Sequence, residues 1–110
     1  PERIARVLER VPDLDVVAAH FGGFQMWEDV DRFLVGRRLW LETSFTLSYL
    51  PAADFVRMAR RHGIERVMFG TDSPWADQSA EVRLLEQTGL NDTELDAVFF
   101  HNAARWLGLK

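Results

Sequence analysis

Apolar residues recur along this chain in two rhythms, and their alternation predicts its architecture. Ile4, Val7, Leu8 and Val11 fall at three- and four-residue steps, the spacing of one helix face, and Pro12-Asp13 ends that run. The short continuous stretch Val16-Val17-Ala18-Ala19 then reads as a buried strand. After Gly22-Gly23, a second helical stripe runs through Phe24, Trp27, Val30 and Leu34, with Gly36 at its end, and Leu39-Trp40-Leu41 forms the next strand. Phe55, Met58, Ala59 and His62 mark a helix over residues 52–62 that stops at Gly63, a residue suited to a left-handed cap. Val67-Met68-Phe69 is the third strand. Two more helices follow, one near residues 79–87 ended by Gly89, the other opened by Asn91 with Glu94 three positions later, the spacing of a capping box. A last helical turn is expected over residues 102–107.

Each interval between strands is long enough to hold a helix, and no Asn-Gly or Asp-Gly pair marks a hairpin. The pattern therefore predicts a parallel sheet with helical crossovers, in consecutive βα units within one domain, residues 1–110. In such folds the loops at the carboxyl ends of the strands gather the chemistry, because the sheet holds them side by side. The three strand ends turn polar as that rule expects: His20-Phe21-Gly22-Gly23, Glu42-Thr43-Ser44, and Gly70-Thr71-Asp72-Ser73-Pro74-Trp75.

Each residue also has a structural reading. Asp72 suits a helix cap or a turn, and His20 suits a buried, hydrogen-bonded ring. Gly22-Gly23 suits either a strand-to-helix turn or the close approach of a ligand to the backbone. Thr43 and Ser44 read as capping residues, since no Gly-x-Ser-x-Gly elbow surrounds them. His62, beside Arg60 and Arg61 in a last helical turn, is read as a structural residue whose partly cationic ring favours the helix dipole. His101 is read as a capping or packing residue. Among the tryptophans, Trp75 alone lies on a rim loop, where it would either line a pocket or plug the end of a barrel.

Composition narrows the partners. The 110 residues carry a formal net charge of −4, which offers no basic footprint for nucleic acid or anionic lipid. A hydrophobic fraction of 47% can fill one core, yet no apolar run reaches the roughly 18 residues needed to span a bilayer. There is no cysteine, so neither a disulfide framework nor a thiolate metal site is available, and the expected compartment is the cytoplasm.

Together these segments resemble the amidohydrolase-related, TIM-barrel metal-dependent hydrolases, a family that also includes decarboxylases of the aminocarboxymuconate-semialdehyde and resorcylate type. VPDLDVVAAHFGG resembles the approach to the sixth barrel strand and its histidine, RLWLETS the seventh strand, and RVMFGTDSPW the eighth with its metal-binding aspartate. The closing LNDTELDAVFFHNAARWLGL is similar to the terminal helices, with Asn102-Ala103-Ala104-Arg105 in place of an Asn-Ala-x-Arg ending. The resemblance covers essentially the whole chain and implies the carboxyl-terminal part, about strands six to eight, of a (β/α)8 barrel. By position it implies that Asp72 binds a divalent metal, with zinc favoured over manganese or iron, and accepts a proton from activated water. His20 would orient that water or stabilise charge growing on a small amide, ester or lactone substrate, Gly22 and Gly23 would admit the substrate, and Trp75 would wall the pocket. The family's His-x-His pair on the first strand and its histidine on the fifth are absent from these 110 residues. The expectation is therefore a missing amino-terminal half of the barrel, or self-association, as partner. Nonoxidative decarboxylation and a noncatalytic, self-associating fragment are the alternatives.

Overall fold

A computed structural model describes residues 1–109 of the chain. Among the described residues, three short strands are interleaved with and followed by six α-helices: α1 (Glu2–Arg10), β1 (Val17–Ala18), α2 (Trp27–Phe33), β2 (Trp40–Glu42), α3 (Ala52–His62), β3 (Val67–Met68), α4 (Gln78–Glu86), α5 (Asp92–Asp96) and α6 (Asn102–Trp106). The strands pair in parallel in the order β1-β2-β3, with Ala18 beside Leu41 and Leu41 beside Val67. Every crossover carries a helix, as the spacing of apolar runs predicts.

The core lies between the sheet and its helices. Leu41 and Val67 from the strands, Val30 and Leu34 from α2, and Phe55, Met58 and Ala59 from α3 are all essentially inaccessible to water. Phe21, at the first turn beyond β1, packs its ring 5.3 Å from that of Phe55. Gly22 is squeezed between these layers: with φ at +93°, a Cβ there would approach Leu34 Cδ1 to 2.5 Å. Its small size thus serves the packing of α2 against the sheet.

The helix ends follow local chemistry. Asn91 and Glu94 form the predicted capping box, each side chain accepting from the other's backbone N–H at 2.9 Å. The cap of α4 is Asp77, whose carboxylate accepts from Ala80 N–H at 3.0 Å. Helices α5 and α6, expected as separate stretches, are joined through a wider π turn over Ala97–His101. That continuous rod seals one side of the sheet. On the flank of β3 away from β2, Asn102 Nδ2 donates to Val67 O at 2.8 Å and Phe69 N–H donates to Val98 O at 3.0 Å. Strand β1 has β2 as its neighbour on one side and no strand on the other among the described residues.

His62 corrects the sequence reading. Its ring is only 1% exposed, with Gly36 N–H donating to Nδ1 at 3.0 Å and Nε2 lying 2.9 Å from Leu39 O. That pair of partners fixes the neutral Nε2–H tautomer. Burial pushes the imidazole pKa down, with Arg66 adding to the effect and the Leu39 carbonyl and Glu65 opposing it. The ring is neutral and pins the amino end of β2, so it is not a partly cationic group serving the helix dipole.

Candidate functional site

Because the strands are parallel, the segments that follow β1, β2 and β3 emerge at one edge of the sheet. His20 follows β1 by two residues, Ser44 follows β2 by two, and Asp72 follows β3 by four. All three loops contain non-glycine residues in the left-handed region: His20 (φ 55°) and Phe21 (53°), Phe45 (49°), and Asp72 (54°). Such conformations cost roughly 1–3 kcal/mol each and concentrate at ligand-binding and catalytic positions. Sequence alone gave no sign of them, since glycine, the residue expected where φ is positive, is absent from these positions.

At the centre of the rim is a hydrogen-bonded group that the sequence placed at a strand end without revealing its wiring. Ser44 donates to both oxygens of Glu42, through its N–H to Oε1 at 2.6 Å and through its hydroxyl to Oε2 at 2.6 Å. The same hydroxyl lies 2.9 Å from His20 Nδ1, and the Ser44 carbonyl lies 3.3 Å from that nitrogen. Ser44 is 2% exposed, which removes competing water from most of this arrangement. Its reading as a capping residue gives way to one in which it couples a carboxylate to an imidazole.

Gly70 explains how the carboxylate gets there. A Cβ at this residue would stand 1.9 Å from Glu42 Oε1, so only glycine leaves room for the acid beside β3. Thr43 holds the same two strand ends together: Gly70 N–H donates to Thr43 Oγ1 at 3.1 Å, and the threonine hydroxyl donates to Gly70 O at 3.2 Å. The glycine of the Gly-Thr-Asp-Ser stretch therefore serves its neighbouring strand.

Asp72 sits in an exposed turn, its backbone carbonyl accepting from Trp75 N–H at 3.0 Å. Trp75 is 77% exposed. The pocket beside His20, of about 310 Å³, is lined by Phe24, Phe45 and Tyr49 along with the histidine. Phe24 meets Tyr49 edge-on at 4.9 Å, and His20 meets Phe45 edge-on at 5.5 Å. Trp75 is not among its walls. Gly23 lies against Pro1, where a Cβ would come within 2.8 Å of the proline ring. Both glycines are thus engaged with protein atoms on the side where a side chain would grow. His101 is exposed at the close of the π turn, in the middle of the terminal rod, its ring edge-on to Phe100 at 5.4 Å.

The donor set suits a divalent cation only in part. Asp72 offers hard carboxylate oxygens at the rim, and His20 has a second ring nitrogen beyond the one facing Ser44. No cluster of three or more histidine, cysteine, aspartate or glutamate side chains with metal-holding geometry occurs among the described residues. A complete cage would need ligands from outside this segment.

A family model described as amidohydrolase matches residues 1–109. Among solved structures, the chain is similar to a TIM-barrel protein from Bordetella bronchiseptica, at 28% identity and a TM-score of 0.85, covering 98% of this chain and 39% of that one. It also resembles a dihydroxybenzoic acid decarboxylase from a Polaromonas species, solved with manganese and the inhibitor 2-nitroresorcinol. There the identity is 15% and the TM-score 0.70, covering 93% of this chain and 36% of that one. A third similar structure, from Pseudomonas putida, is named as a candidate 2-pyrone-4,6-dicarboxylic acid hydrolase. Its identity is 20% and its TM-score 0.71, with 97% of this chain and 48% of that one covered. No curated protein matches the chain. The chain thus spans less than half the length of each of these structures, and its three βα units correspond to part of a TIM barrel.

Proposed function

The chain belongs to the amidohydrolase family, and from that premise we propose that it forms the carboxyl-terminal part of a metal-dependent hydrolase acting on a small amide, ester or lactone. What supports this reading is that His20 and Asp72 follow parallel strands at the same end of the sheet, each held in a left-handed backbone conformation. Asp72 is the protein's contribution to the cation, which we take to be zinc, with manganese, present in the Polaromonas structure, as the other candidate. When bound, such an ion supplies Lewis acidity and brings the ionisation of water near neutrality. His20 accepts or returns a proton at the reacting centre, and Asp72 takes a proton from the attacking water. The remaining ligands come from complementary strands, in a preceding segment or a second chain, that pair with the open side of β1. Exposed Val7, Val11, Leu14 and Val17 would be covered in that assembly.

Metal content tests the assignment directly. Protein assembled with its complementary strands is expected to hold a stoichiometric divalent ion and Asp72→Ala to lose it; equal metal in both would end the case for Asp72. Light scattering tests the partner: a dispersed monomer at high concentration counts against it. The decarboxylase named among the similar structures favours a second reading, nonoxidative loss of carbon dioxide at the same rim. Incorporation of labelled oxygen from water into product identifies hydrolysis; release of carbon dioxide without it identifies decarboxylation.

A further inference from the structure

We propose that Glu42 and Ser44 are positioning residues that set the tautomer of His20, holding the proton on Nδ1 and leaving Nε2 with a free lone pair at the rim. This deepens the role given to His20 above and rests on it. A carboxylate only accepts, and Glu42 receives two short bonds from Ser44, one from the backbone N–H and one from the hydroxyl, each 2.6 Å. A hydroxyl has a single hydrogen. With that hydrogen directed at Glu42, Ser44 Oγ meets His20 Nδ1 at 2.9 Å as an acceptor only. The Ser44 carbonyl, 3.3 Å from the same nitrogen, is also only an acceptor. Both contacts therefore require the hydrogen on Nδ1, and Nε2 is left unprotonated in the neutral ring.

The rest of the fold keeps this polarity from reversing. Gly70 leaves the space in which Glu42 lies. The Ser44 carbonyl is held by the Thr46 hydroxyl at 3.0 Å, and Thr46 itself is fully buried. A base at the rim needs its lone pair facing outward, and this relay provides that orientation without placing a charge in contact with the ring.

Replacing Glu42 with glutamine reverses the relay. The Ser44 N–H still requires an acceptor, so the amide oxygen takes the Oε1 place and the amide nitrogen the Oε2 place, where it donates to Ser44 Oγ. The serine hydrogen is then free to point at His20 Nδ1, which favours the proton on Nε2 and leaves the Ser44 carbonyl as the one group still favouring Nδ1–H. The test is nitrogen NMR of histidine-labelled full chain at a pH where the ring is neutral, with circular dichroism to confirm folding. The native protein is expected to carry predominantly Nδ1–H at His20, and Glu42→Gln to lower the ratio of Nδ1–H to Nε2–H by about fivefold or more. Nε2–H in the native protein, or one unchanged tautomer in both, overturns the proposal. Should the glutamine variant not fold, Ser44→Ala decides: a fall in the Nδ1–H share supports the relay, and an unchanged share rejects it. The readout needs no substrate, so it fails separately from the parent assignment. Full turnover by His20→Gln would remove the catalytic role while leaving the measured tautomer in place.

Discussion

His20 and His62 stand at opposite ends of the same sheet, and the contrast between them separates what supports this fold from what can act. His62, at the amino end, spends both nitrogens on backbone groups, with Gly36 N–H on one and the Leu39 carbonyl on the other, and is sealed from water. It has nothing left to offer a ligand. His20, at the carboxyl end, is half-buried and engaged through Nδ1 by Ser44, in a loop of left-handed residues. A parallel sheet imposes this division: its amino end is closed by packing, and its carboxyl end is where loops meet. The terminal Asn102 and Arg105 fall on the closed end as well. Asn102 donates to the carbonyls of Ile64 and Val67 at 2.7 and 2.8 Å, and Arg105 donates to the carbonyl of Glu65. The Asn-Ala-Ala-Arg ending is thus a clamp that fastens the last helix to the sheet.

The sharpest way to break the contrast is to truncate both histidines. His62→Ala leaves a cavity and two backbone groups without partners, so a loss of about 3–5 kcal/mol in unfolding free energy is expected by urea titration. His20→Ala should change stability by less than about 1 kcal/mol, because its ring is partly exposed and supports no element. Similar losses in the two variants would show that the ends are not specialised.

Glycine 70 tests the rim itself. In Gly70→Ala the added methyl collides with Glu42 Oε1, so the carboxylate must leave Ser44. The expected cost is about 1–3 kcal/mol, with the His20 tautomer preference weakened. A crystal structure of the variant with the Glu42–Ser44 bonds intact would contradict this account.

Protonation provides a gentler probe of the closed end. Because burial lowers the pKa of His62, the folded protein binds its proton less readily than the unfolded chain does. Its contribution is therefore complete above the unfolded value of about 6.5 and is lost as pH falls from there toward the folded-state value. Urea midpoints should decline over that interval in the native protein and decline less in His62→Gln. The reference point remote from both ends is Asn91→Ala, which removes half of an exposed capping box and should cost about 1 kcal/mol.

Much of the scaffold was legible beforehand because it is governed by local rules. The helix over residues 52–62, the stop at Gly63 and the Asn91–Glu94 cap follow from periodicity, glycine's freedom and side-chain reach along a few residues. The junction of the last two helices was not legible. Its π turn is accompanied by a long-range bond from Phe69 to Val98, a partner almost thirty positions away. The strand ends could be marked as a polar rim, and His20 and Asp72 singled out there, from the change of apolar to polar residues alone. Glu42 and Ser44 stand in the same stretch, but Ser44 reads there as a capping residue, since nothing in Glu-Thr-Ser says that its hydroxyl will face an imidazole 24 residues earlier.

What the sequence determined by itself was the alternation of strand and helix, the parallel order that follows from long crossovers, and the positions at which polar groups leave the sheet. Those are consequences of spacing and propensity acting over one or two turns. Only the tertiary structure decided which nitrogens of His20 and His62 are engaged, why residue 70 must lack a side chain, and which aromatic rings line the rim pocket. Each of these depends on atoms from different strands coming within a few ångströms of one another, and hydrogen-bond direction and steric exclusion exist only at that range.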